Sequence, residues 1–416
     1  MPDFSRLFAT CSISALIGCA GPAPTTIRNL GSLQGTSQRG EATGRSRAAY
    51  DVLHMFRRES RGVNPSGIFV DGAGNIFGAT LGGGGFTSEG TVFELTPKGA
   101  GYAFKSIYDF YGSNGESPNP PIEDSNGNLF LTTQRGGAYG AGTALELSPT
   151  AKGYVQSAFY SFGSAGDGAV PEAQFTLVGD TLYTTTVYGG KHDLGTIVAM
   201  SGRDLSEKGR YSFAWEVDGQ SSTTLASDAS GNLYGTASGG PDGEGYVYAF
   251  PATGKAPNPS ILYSFSAQSL VWSPAGDVAL DSNGNVYGEA TATQNIDDNC
   301  GAVFALTRTS GTYTLSALHA FTGGADGCFP VGGVTASGNT LVGSTFSAGE
   351  YGAGTIFSLS TDGSGYTVIH ALTGKTGSQV SDLVPASDAI YGTDLEGGQS
   401  ESGQPGGGVV FRMTTR

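Results

Sequence analysis

Two carboxylates stand where the neighbouring pattern of the chain asks for small residues. Glu289 lies in Gly-Asn-Val-Tyr-Gly-Glu-Ala, where parallel segments carry Ala, Thr or Ser. Asp394 lies in Ile-Tyr-Gly-Thr-Asp, where they carry Thr or Ala. A carboxylate on a strand at such a position is expected to be partly buried near the molecular axis, and burial raises its pKa. Glycine-rich loops bring further groups: Arg135, Tyr139, Tyr188, His192, Asp193, Asp297, Asp298, Glu350 and Tyr351. Aromatic rings beside carboxylates suit carbohydrate binding, and a carboxylate pair suits glycoside hydrolysis. The plainer alternative is that long loops are polar because they are wet.

Other signals for chemistry are weaker. The Asp-x-x-Gly-Asn segments at 71–75, 124–128, 228–232 and 281–285 resemble calcium loops only in part, since the later Glu at fixed spacing is missing. Side-chain-to-backbone bonds and positive φ at hairpins explain them fully. His54, His319 and His370 recur in one strand slot, which marks them as structural, while His192 alone sits in a loop. No His or Cys spacing suits zinc, and no nucleophile elbow or phosphate loop is present, so neither a metal nor a cofactor is expected.

These groups must be positioned by a repeated element. The stretch GTVFEL at 90–95 returns as GTALEL at 142–147, GTIVAM at 195–200, GYVYAF at 245–250, GAVFAL at 301–306, GTIFSL at 354–359 and GVVFRM at 408–413. Around the first copy the pattern reads as four short strands. Residues 67–71 form one apolar run and residues 76–80 a second beyond a Gly-Ala-Gly-Asn turn. A glycine-rich loop then leads to the third run at 91–95, and residues 104–110 form the fourth. Four antiparallel strands in a period near 53 residues describe a β-propeller blade.

The chain stops three residues after its last third strand, so no fourth strand remains there. Residues 50–56, Tyr-Asp-Val-Leu-His-Met-Phe, match the fourth-strand pattern of LYSF at 262–265 and LHAF at 318–321. The expected fold is therefore all-β, a seven-bladed propeller over residues 49–416 closed by an N-terminal strand that completes the last blade.

The segments GNIFGAT…GTVFELTP at 74–97 and GNLFLTT…GTALELSP at 127–149, with GNLYGTA at 231–237 and GNVYGEA at 284–290, resemble the bacterial GloVer tandem-repeat family. The resemblance spans nearly all of residues 50–416 and implies an exported propeller-like protein, with no activity attached.

The N-terminus carries an address. Arg6 precedes an apolar run from Leu7 to Gly18 that ends in Leu-Ile-Gly-Cys. That ending resembles a bacterial lipobox, so residues 1–18 read as a signal peptide, Cys19 as the lipidated residue, and residues 19–48 as a flexible tether. Ala20 in place of Asp points to the outer membrane in a Gram-negative host. Cys300 and Cys328 fall in two loop classes that share one propeller face, and export favours a disulfide between them.

Composition agrees. Gly makes up 69 of 416 residues and only 14% are charged, with a net charge of −15. Such acidity opposes phosphate backbones, and no basic patch offsets it, so nucleic acid is not an expected partner. The expected protein is a monomeric, lipid-anchored binding or scaffold module with a saccharide, peptide or protein ligand on the loop face. The alternative is an exported carboxylate-dependent hydrolase or lyase with its site in the central funnel.

Overall fold

The computed structural model describes residues 49–57, 62–83, 89–214, 223–253, 258–294, 299–373, 377, 379–386, 389–398 and 406–414. All belong to one compact unit, Ser46–Arg416. The signal peptide, Cys19 and its tether, and Asp297 with Asp298, lie outside the described residues.

Seven antiparallel sheets follow one another as the blades of a β-propeller. Blade 1 consists of Val63–Val70, Ile76–Gly82, Thr91–Lys98 and Gly101–Asp109, from the inner strand outwards. Its inner strand starts four residues before the apolar run at 67–71, and its third strand continues past Leu95 to Lys98. The inner strands of blades 3 to 6 begin at Thr176, Ala226, Val271 and Thr335. That of blade 2 is split into Glu116–Pro118 and Ile122–Glu123, because Pro120 and Pro121 between them have no N–H for the ladder.

Blade 7 joins the two ends of the chain. Its strands are Val380–Pro385, Ala389–Asp394, Val409–Thr414 and Ala49–Met55. Tyr50 lies opposite Met413 and Val52 opposite Phe411. The last third strand thus finds the partner that the sequence pattern demanded, and no open edge remains at the closure.

The core lies between blades. The seven buried clusters among the described residues each bridge two neighbours, for example Phe56, Ile68, Phe93 and Tyr391 between blades 7 and 1. Phe77, Val92, Leu129 and Leu145 fill the next interface. The recurrent histidines add an outer layer. His54 stacks on Phe104 at 4.2 Å, His319 on Tyr366 at 3.7 Å and His370 on Tyr50 at 4.2 Å. In each case the outer strand of one blade is clasped to that of the next, which accounts for the histidine's return in register.

Two further repeat features have local causes. In each Asp-x-x-Gly-Asn turn the carboxylate accepts backbone and amide bonds; Asp71 takes Ala73 N, Asn75 N and Asn75 Nδ2, all at 2.8 Å. The turn glycine, Gly74, has φ +82°, a conformation that glycine adopts without steric cost. The Gly-Thr that opens GTVFEL also has a packing role. A Cβ on Gly90 would strike the Thr80 carbonyl and the Pro118 ring. Thr91 N–H donates to Thr80 Oγ1 at 3.1 Å, and the pair recurs as Thr133–Thr143, Thr186–Thr196 and Thr345–Thr355.

Candidate functional site

Inner strands run alongside the propeller axis, and in four of them the residue just before the first core apolar side chain lines the channel: Gln174, Thr224, Asp277 and Asp382, before Phe175, Leu225, Val278 and Leu383. The channel opens as a funnel of about 380 Å³ to which every blade contributes: Ser66, Asn119, Glu172, Thr223, Asp277, Gly332 and Asp382. Side-chain amides of Gln134 and Gln174 and the hydroxyl of Ser381 complete a hydrogen-bonding wall. A smaller cavity of about 170 Å³ leads off it between blades 5, 6 and 7, and shares Asp277, Gly332 and Asp382 with the funnel.

The two aspartates are held by neighbouring blades. Thr224 N–H donates to Asp277 Oδ1 at 2.8 Å, and Ile68 N–H donates to Asp382 Oδ2 at 3.1 Å. Each carboxyl is half-buried, open only to the confined interior of the funnel. Burial therefore pushes Asp277 up to about 7, with the Asp382 charge adding and the Thr224 amide opposing. Burial alone carries Asp382 to about 6 against the amides of Ile68 and Leu383. Glu172, at the wider rim, is raised by desolvation against the lowering effect of Arg135. Among the described residues no group of three His, Cys, Asp or Glu is placed to hold a metal ion.

The sequence-derived residues fall into separate places. Glu289 is completely buried between blades 5 and 6, not partly exposed near the axis. Gly333 N–H donates to its Oε2 at 2.8 Å, while Oε1 has no partner. Burial first, and then the charge of Asp277, pushes it up to about 8 against the Gly333 amide. Asp394 is also fully buried. Its oxygens accept from Gln379 N at 2.9 Å, Glu396 N at 3.1 Å and Gly397 N at 2.9 Å. It thus secures the loop edge of blade 7, doing with two oxygens what threonine does elsewhere, and presents no surface to a ligand.

Arg135 stands beside Glu172 at the funnel rim. Tyr139 and Tyr188 are exposed on the loops of blades 2 and 3. His192 is exposed in the blade 3 loop, and Asp193 Oδ1 accepts from Gly189 N at 2.8 Å, so that carboxylate braces its own loop. Glu350 and Tyr351 lie apart, on a peripheral groove of about 750 Å³ with Tyr50, Asp326 and His370. The two cysteines are joined, Cys300 Sγ to Cys328 Sγ, at a Cα separation of 4.5 Å. Their bond places the loop between second and third strands on the same face as the connection between blades. Gly137 N–H to Gly112 O at 2.8 Å and the pairing of Gly168–Ala169 with Tyr188–Gly189 show the same arrangement in blades 2 and 3.

Asp277, Asp382 and Glu172 are not among the sequence-derived candidates, which lie on second strands and the loops after them. The signal was present. Aligned on the first core apolar residue, the inner-strand position before it is Gln, Thr or Asp in four blades, polar beside an apolar run.

The sequence description of the Gloeobacter/Verrucomicrobia repeat matches residues 20–198, 83–298 and 274–416. No curated protein matches the chain. Among solved structures, the extracellular domain of BT4673 from B. thetaiotaomicron, described as a hybrid two component system, is similar at TM-score 0.57 and 12% identity. That match covers 88% of this chain and 42% of the other. A second structure of that extracellular domain, described as a one component system, gives TM-score 0.51 at 12% identity over 87% and 40%. A prolyl endopeptidase gives 0.52 at 13% identity over 83% and 46%. At such identities the likeness is one of fold, and the chain spans about two fifths of the length of the two BT4673 chains.

Proposed function

The chain belongs to the Gloeobacter/Verrucomicrobia repeat family, and from that premise we propose that it is an exported binding module whose funnel takes a polyhydroxylated ligand, a saccharide. The observation that carries this reading is the funnel's lining. Side-chain amide, hydroxyl and carboxyl groups from six of the seven blades converge there, and neither Lys nor Arg is among them. Carboxylates accept pairs of hydroxyl donors, and side-chain amides both donate and accept. Exposed tyrosines on the same face, Tyr139 and Tyr188, offer flat apolar surfaces to sugar rings.

The disulfide supports export, because such bonds persist in oxidising compartments. The lipid anchor at Cys19 completes the proposal: Cys19→Ser should move the protein from the membrane to the soluble fraction, and unchanged fractionation would end that part of the reading.

Glycan-array binding followed by calorimetry tests the ligand class. We expect binding to be weakened by Gln174→Ala and left unchanged by Tyr351→Ala on the separate groove. Absence of glycan binding, or an effect of Tyr351→Ala alone, would overturn the funnel reading. The hydrolase alternative draws on Asp277, a channel-facing carboxyl with raised pKa, and predicts release of reducing ends that Asp277→Asn abolishes.

A further inference from the structure

The funnel narrows where Asp277 and Asp382 stand together, at the junction with the inner cavity. Each carboxyl spends one oxygen on a backbone amide of an adjacent blade, Asp277 Oδ1 on Thr224 and Asp382 Oδ2 on Ile68. Both residues line the inner cavity. Behind Gly333 in the same wall, the wholly buried Glu289 carries an oxygen with no partner, and the charge of Asp277 adds to burial in raising its pKa. Neither cavity has a lysine or arginine in its lining. The inner end of the funnel thus brings two carboxyls, from blades 5 and 7, to one enclosed cavity with no basic side chain in its lining.

Three kinds of ligand group can be weighed against that setting. An anion is repelled. A metal ion would need several oxygens at once, six to eight for calcium, and among the described residues no trio of acidic, His or Cys side chains is placed to hold one. A primary ammonium requires only what is present. It has three N–H donors, and Asp277, Asp382 and the Ser344 hydroxyl that lines the inner cavity supply acceptors. Size agrees as well. A cavity of about 170 Å³ has room for an ammonium on a short carbon stem, since a cavity of about 150 Å³ takes up benzene. The rest of a larger ligand would lie in the wider funnel among Gln134, Gln174 and Thr223.

We propose that the inner cavity recognises a primary ammonium group, so that the ligand of this face is an amino-bearing molecule, in the first instance an amino sugar. This rests on the funnel being the binding site, and it adds the group that selects the ligand. Each carboxylate bond to the ammonium is charge-assisted and directed by the amide that fixes its partner oxygen.

The test uses the full chain, calorimetry, and three probes: a glucosamine trisaccharide, its N-acetylated counterpart and spermidine. The amino trisaccharide should bind at least about 10-fold more tightly than the acetylated one, the effect of one charge-assisted bond. Asp382→Asn and Asp277→Asn keep an acceptor for the backbone amides. They should bring the ratio of the two affinities down to about one, with the unfolding midpoint confirming an intact fold. Equal affinity of the two trisaccharides, or a preference that survives both variants, overturns the proposal while leaving the saccharide reading in place. Binding of spermidine without either trisaccharide supports ammonium recognition and sinks the saccharide reading. No binding of any ammonium probe refutes the proposal outright.

Discussion

Replacing Glu289 with Gln preserves the side chain's shape and its acceptor for Gly333 N–H, and removes only its titration. In the folded protein this carboxyl is completely buried and pushed up to about 8. In the unfolded chain it titrates near its ordinary value, about 4.3. Between those two values the folded state keeps a proton that the unfolded state has lost. Stability therefore falls as pH rises, by about 1.36 kcal/mol per pH unit for this one group. From pH 6 to pH 8 the wild type should lose about 2 to 3 kcal/mol through Glu289, and the Gln variant should lose none of it. The measurement is guanidinium unfolding of both proteins at pH 5.5, 6, 7, 8 and 9, followed by circular dichroism. The gap in favour of Glu289→Gln should widen across that range and level off above pH 8. Asp277 and Asp382 titrate nearby, so both proteins will show some slope, and the difference between them isolates Glu289. A gap that stays constant with pH would refute the reasoning, because it would mean that burial between blades 5 and 6 does not hold this carboxyl neutral.

Further expectations concern the frame around the funnel. Cys300→Ser with Cys328→Ser, or reduction of the wild type, should lower stability by about 3.6 kcal/mol for a loop of 28 residues, read as a drop in denaturant midpoint that reductant does not deepen in the double variant. Phe56→Ala removes a fully buried ring that packs on Phe93 and Phe104 at the closing strand. It should cost about 3 to 5 kcal/mol in equilibrium unfolding; a loss under 1 kcal/mol would mean that the closure contributes little. Asp394→Asn places an amide donor against one of three backbone donors. The expected loss is about 1 to 3 kcal/mol with ligand binding unchanged, and altered affinity at full stability would return Asp394 to the list of site residues.

Much of this protein is written in local pattern. GTVFEL and its copies, the Asp-x-x-Gly-Asn turns and the unpaired strand at 50–56 call for antiparallel blades closed end to end, because strand period, turn chemistry and the need to pair an edge all act over a few residues. Cys300 and Cys328 could be placed on one face by the same logic, since a meander returns its alternate loops to the same side. The recurrent histidines were readable as structural from their register, although their stacking partners were not.

The site was another matter. Asp277 and Asp382 are 105 residues apart and meet only because seven inner strands converge on one axis. Glu289 and Asp394 sit one register position apart on equivalent strands, so their side chains leave opposite faces of their sheets. One enters the interface between blades and the other the loop edge, and neither reaches the channel. A strand's sequence announces that its faces differ but not what lies against each of them. Which carboxyl meets solvent, which meets a backbone amide and which is left alone is decided by the angle at which the blades pack. That angle is set by the whole ring and not by any one repeat.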